Sequence, residues 1–151
     1  MDRKFKVIIA DDMKQIAETH KNIAICNENI EVVAIADNGK EELDLILKLK
    51  PDLVITDNKM PEMNGIEVIE KISQLEIDDK PEFILVTGDC NWELNNKCRE
   101  LDVFRIINKL SVNDALLDTI EEYISFKTNL NIKEVDTFKK TNKDKNEKRH
   151  I

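Results

Sequence analysis

The chain has 151 residues, 41% of them hydrophobic and 36% charged, with a formal net charge of −8. That length suits one domain with its own core, and the acidic balance excludes nucleic acid as the first expectation for residues 1–127. No run approaches the roughly 18 consecutive apolar residues that a membrane helix needs, so no membrane association is expected.

In chain order, the N-terminal MDRKFKVIIADD sets two acids directly after a short apolar run, unlike a signal peptide. FKVIIA (5–10) reads as a first strand and MKQIAETHKNIAI as a helix, with His20 expected to be solvated or half-buried. EVVAIA (31–36), DLVITD (52–57), EFILVT (82–87) and VFRIIN (103–108) repeat the strand pattern. These runs are apolar on both faces, which suits parallel strands covered by helices on each side. Between them lie GKEELDLILKLK, GIEVIEKISQL and, less clearly, NWELNNKCREL as helical patterns. A last helix, VNDALLDTIEEYISF, places Ala115, Leu116, Ile120, Tyr123 and Ile124 on one face, with Ser111 as N-cap. Cys26, Cys90 and Cys98 show no CxxC spacing and read as reduced thiols of a cytoplasmic protein. Composition shifts near residue 128: residues 1–127 carry −11, whereas 128–151 carry +3 and few apolar anchors. That tail is expected to be an interdomain linker, a frayed helix extension or disorder.

Strand–helix alternation repeated five times predicts an α/β fold with one parallel sheet. Right-handed crossovers limit it to a few doubly wound orders. In such sheets ligands bind beyond the carboxyl ends of the strands. Asp11 and Asp12 follow the first strand, Asp57 ends the third, Thr87 ends the fourth and Lys109 follows the fifth. All therefore fall on one sheet edge. Carboxylates gathered there repel unless a cation sits among them. A hard divalent ion such as Mg²⁺ takes one or two carboxylates, waters and phosphate oxygens. Lys109 as a point charge and Thr87 as a hydroxyl donor suit a transferred phosphoryl group, and Asp is a known acceptor of one.

The set DD (11–12), TDNKMPEMNG (56–65), VTGD (86–89) and INK (107–109) resembles the receiver domain of two-component response regulators. The resemblance covers roughly residues 4–127, leaving 128–151 as the tail. It implies a five-stranded parallel sheet of order 2-1-3-4-5, as in a chemotaxis receiver, with helices on both faces. It also implies Asp57 as phosphoacceptor, with Asp12 and Asp57 binding Mg²⁺ directly. Asp11 would act through water, and the main-chain carbonyl of Lys59 would be a further ligand. Thr87 would meet a phosphoryl oxygen in the activated state, and Lys109 would pair with the phosphate. The implied donor is a sensor histidine kinase or a phosphotransfer protein. The output would pass to a downstream protein or a homodimer through the face of the fourth helix, fifth strand and fifth helix. The module is expected to act on no separate substrate, catalysing only its own phosphorylation and hydrolysis.

Three positions depart from the family pattern. Ile106 stands where receivers usually carry an aromatic switch residue, and Phe104 lies two residues back, about 7 Å along a strand. Leu110 stands where a proline behind a cis peptide is usual; before leucine a cis bond costs roughly 2.5–4 kcal/mol, so a trans bond or a strained cis bond follows. Gly88 replaces a small residue. Lys59 and Asp89 either pair across the mouth of the site and slow hydrolysis, or are two solvated charges. Trp92 is either part of a partner surface or a ring packed on its own loop, and Met60 and Met63 are assigned packing only. Two other classes stay open. One is a pseudo-receiver that keeps the fold without switching. The other is a Mg²⁺-dependent phosphatase, which would want an acid at Lys59.

Overall fold

A computed structural model describes the backbone of residues 3–141 and the side chains of residues 3–129. The elements are β1 (Phe5–Ala10), α1 (Lys14–Ala24), β2 (Ile30–Ala36), α2 (Gly39–Leu49), β3 (Leu53–Asp57), α3 (Gly65–Gln74), β4 (Glu82–Thr87), α4 (Trp92–Glu100), β5 (Arg105–Asn108) and α5 (Val112–Thr141). The strands form one parallel sheet of order β2-β1-β3-β4-β5, the expected order, with a bulge in β2 between the partners of Val7 and Ile8.

Strand periodicity explains why both sheet faces are covered. Ile8, Val54, Phe83 and Leu85 project to one side and join Ile46, Ile66, Val68, Ile69, Ile72 and Cys98 in one apolar cluster of α2, α3 and α4. The alternate residues Val7, Ile9, Leu53, Ile55, Ile84 and Val86 are buried too, so the opposite face is also covered. Sequence reading placed His20 in solvent or half-buried; it is instead 2% exposed. The reason is spacing: Ala17, His20 and Ala24 share the inward face of α1.

Two boundaries differ from expectation for physical reasons. β5 starts at Arg105 rather than Val103, because the Val103 N–H closes the end of α4 on the Cys98 carbonyl (2.9 Å). Asp102, at φ 58°, makes the left-handed turn that permits this. A short 3₁₀ turn over Lys109–Ser111 precedes α5, and Asn108 caps it: its side chain accepts from the Leu110 N–H at 2.9 Å.

The chain divides into two units, Met1–Thr119 and Ile120–Ile151. The first holds the sheet, α1 to α4 and the start of α5. The second holds the rest of α5, so residues 128–141 of the expected tail are helical. Its remainder, 142–151, lies outside the described residues. Among the described residues no helix is long and apolar enough to cross a membrane.

Candidate functional site

Strand register alone brings the polar residues together. Ala10 lies opposite Thr56, so Asp11 emerges level with Asp57. Asp57 lies opposite Val86 and Thr87 opposite Asn108, so Thr87 and Lys109 step one rung further each. Carboxylate oxygens of Asp11, Asp12 and Asp57 lie within 4.8 Å of one another. Asp11, Asp57 and Thr87 are buried, and Asp12 is exposed.

Lys109 is the cation in this cluster. Its Nζ donates to Asp57 Oδ2 at 2.9 Å and stands 3.3 Å from Asp11 Oδ2. Burial lowers the affinity of Lys109 for its proton. The hydrogen bond and charge of Asp57, with the charge of Asp11, outweigh that and raise it overall, so the ammonium stays charged. Asp57 moves up from the usual carboxylate range: burial raises it, Lys109 opposes, and the Asp11 charge raises it further. The Lys109–Leu110 peptide is trans, so the expected choice falls on the unstrained bond. The 3₁₀ turn leaves Leu110 95% exposed while Lys109 still reaches Asp57.

The loop after Asp57 is built around close approaches. A Cβ on Gly65 would lie 2.4 Å from the Asp57 carbonyl oxygen, so only glycine fits there without a shift. Asn58 holds the start of α3: its main-chain oxygen accepts from the Gly65 N–H at 2.9 Å and its Oδ1 from the Ile66 N–H at 3.0 Å. Asn64 and Glu67 complete a reciprocal capping box. Pro61 and Met63 close a three-residue turn at 2.7 Å, with Glu62 at φ 69°. At the rim, Lys59 Nζ pairs with Asp89 Oδ2 at 2.6 Å. The Thr87 hydroxyl accepts from the Asp89 N–H at 3.1 Å. Ile106 is half-buried against the apolar cluster, and the Phe104 ring, just outside β5, lies under the Arg105 guanidinium. Trp92 is 75% exposed. A Cβ on Gly88 would meet nothing within 4 Å, so that glycine answers no steric demand.

Mg²⁺ fits these residues on one observation beyond the cluster itself. Asp11 Oδ2 is fully buried and accepts no hydrogen bond, although Lys109 stands near it. A buried carboxylate oxygen in that state is stabilised by a hard cation.

Two residues near the site escaped the sequence reading. Glu42 is fully buried, with its Oε1 3.0 Å from the Thr56 hydroxyl. The signal existed: Glu42 shares the inward face of α2 with Gly39 and Ile46. Gly39 itself packs so closely on the Met63 carbonyl that a Cβ would overlap it.

A doubly wound parallel sheet with an acid cluster and a lysine at its carboxyl edge is an α/β module with its polar site where such sheets bind ligands. The family model described as response regulator receiver domain matches residues 7–121, and the chain belongs to that family. Receiver domains of this family typically bind Mg²⁺ and act in two-component signalling, as the motifs implied. A protein-glutamate methylesterase/protein-glutamine glutaminase of Clostridium acetobutylicum is 30% identical over 135 residues, 85% of this chain. The chain spans only 39% of the length of that relative. A CheY-like response regulator receiver domain protein of Methanospirillum hungatei JF-1 superposes with a TM-score of 0.73 at 28% identity, over 83% of this chain and 98% of that one. The response regulator domain of Thermotoga maritima CheB gives 0.70 at 23% identity, over 80% and 96%.

These relatives correct one expectation. The reading that the module acts on no separate substrate does not stand, because the Clostridium relative is named as an enzyme. Receiver motifs carry no information on an activity joined to them.

Proposed function

We propose that Asp57 accepts a phosphoryl group from a phosphohistidine of a sensor kinase or phosphotransfer protein, and that this changes partner binding or dimerisation. The observation that carries this reading is the Asp57 carboxylate at the end of β3, held by Lys109 at 2.9 Å, with buried Asp11 Oδ2 3.3 Å from the same ammonium. An Asp57 oxygen forms the new bond to phosphorus as the donor's N–P bond breaks. The electron pair stays on the imidazole, which takes up a proton. Lys109 pairs with the phosphoryl oxygens, and the Thr87 hydroxyl donates to one of them in the activated state. Asp12 and Asp57 would hold Mg²⁺ directly, Asp11 through water, with the main-chain carbonyl of Lys59 as a further ligand. When bound, that ion neutralises charge developing on the phosphoryl group.

The partner face proposed is that of α4, β5 and the start of α5. Its support is the exposure of Trp92 and Leu110, large apolar side chains beside the site. The −11 carried by residues 1–127 makes a polyanion a poor partner for that part. A second reading, a pseudo-receiver that binds without switching, is favoured by Ile106 alone, since an aliphatic side chain packed on the core has no ring to rotate.

Intact mass after incubation with acetyl phosphate and Mg²⁺ separates the two. The receiver reading expects one added phosphoryl group on the parent and none on Asp57→Asn. No gain on the parent would leave the pseudo-receiver.

A further inference from the structure

Glu42 lies on α2, 15 residues before the acceptor, and faces the opposite side of the sheet from the Asp57 carboxylate. It is fully buried, and its Oε2 has no hydrogen-bond partner. The Thr56 hydroxyl stands 3.0 Å from Glu42 Oε1 and 2.9 Å from the main-chain oxygen of Asp57. A hydroxyl carries one proton, and a carbonyl oxygen can only accept. If Glu42 were ionised, two acceptors would compete for that proton and a buried charge would keep an unpaired oxygen. If Glu42 is a neutral acid, the chain of contacts runs in one direction: Glu42 Oε1–H donates to Thr56, Thr56 donates to the Asp57 carbonyl, and the unpartnered Oε2 carries no charge.

We propose that Glu42 is a positioning residue for the acceptor, a neutral acid that acts through Thr56 to fix the main chain at Asp57. This rests on the reading of Asp57 as phosphoacceptor. Two further contacts bind the same helix to the same segment. The Gly39 N–H points to the Pro61 carbonyl at 3.4 Å, and Gly39 lies against the Met63 carbonyl. α2 therefore holds β3 from below and its loop from the side. On the other side of the Asp57 carbonyl stands Gly65, too close for any Cβ.

Burial moves the Glu42 carboxyl up to about 8, against the Thr56 hydrogen bond and with help from the Asp57 charge. The other charged residues on elements packed against α2 are Lys6, Glu31, Glu67, Glu70 and Lys71. All are exposed or half-exposed, and Asp57 is the charge that acts on Glu42. Phosphorylation adds negative charge at Asp57, so an ionised Glu42 behind it opposes the reaction. The neutral acid does not.

The test is the rate of labelling by acetyl phosphate with Mg²⁺ for the whole chain, Glu42→Met and Glu42→Gln, from pH 7 to 9. Glu42→Met should label at least fivefold more slowly at pH 7, and Glu42→Gln, whose amide can donate to Thr56, should recover most of the loss. Between pH 7 and 9 the parent rate should fall at least threefold relative to Glu42→Gln. A folded Glu42→Met that labels as fast as the parent overturns the proposal, and so does a flat ratio of parent to Glu42→Gln. Should Glu42→Met fail to fold, that ratio decides alone. A parent that takes no phosphoryl group on Asp57 at any pH overturns the acceptor reading itself, and this inference with it.

Discussion

Lys59 and Asp89 stand at the rim of the pocket, their charged atoms 2.6 Å apart and their side chains 77% and 50% exposed. Asp89 draws the Lys59 ammonium toward its protonated form, through a hydrogen bond first and its charge second. So exposed a pair contributes little to the fold. On the proposed acceptor reading, its effect would be on access, as a charged pair beside Asp57 that attacking water would pass. Lys59→Ala and Asp89→Ala should each shorten the lifetime of the phosphorylated form by roughly two- to fivefold. The double variant should do no worse than either single one, since both remove the same contact. Decay rates followed by intact mass check this, and unchanged lifetimes in both single variants would reduce the pair to two solvated charges. Leu110 makes a different point at this scale. Where the family pattern has a proline, an N–H is present here, and the Asn108 side chain accepts it. That local cap turns the chain with a trans peptide and still delivers Lys109 to Asp57.

At the scale of elements, the five strands were legible because each is a short apolar run rich in Val and Ile, and β1, β3, β4 and β5 end at or next to a polar residue. Their polar ends were legible as a site because parallel strands put all carboxyl ends on one edge. What could not be read was decided by tertiary contacts. Val103 belongs to the end of α4 only because a carbonyl of that helix captures its N–H. His20 is buried because α1 turns that face inward. Glu42 carried a helical-spacing signal, but an acid at an inward position is uncommon and its partner Thr56 is 14 residues away. The α2–β3 pair sets a dependence on pH. In the unfolded chain Glu42 loses its proton near 4.5, and in the fold it keeps it to about 8. The stabilising contribution is fully present below 4.5 and is lost as the pH rises through about 8. The slope is at most about 1.4 kcal/mol per pH unit. Melting temperature should therefore fall from pH 5 to 8 more steeply for the parent than for Glu42→Gln. Parallel curves for the two would show that Glu42 titrates alike in both states.

Across the whole molecule, charge is unevenly divided, with −11 on residues 1–127 and +3 on 128–151. The acidic part matches the family and carries the site, while α5 begins at Val112 inside the match to residue 121 and runs on to Thr141. The Clostridium relative is more than twice as long as the matched segment, so the family match describes a receiver domain and does not describe an output. The proposed input is a phosphoryl group at Asp57. That input is the central claim, and chemical trapping tests it most directly. After labelling with acetyl phosphate and Mg²⁺, borohydride reduces an aspartyl phosphate to homoserine, and peptide mass spectrometry then locates the change. The account predicts conversion at Asp57 and at no other carboxylate, abolished when donor is omitted. Conversion at Asp11, Asp12 or elsewhere, or none in a chain that gained phosphoryl mass, would contradict it.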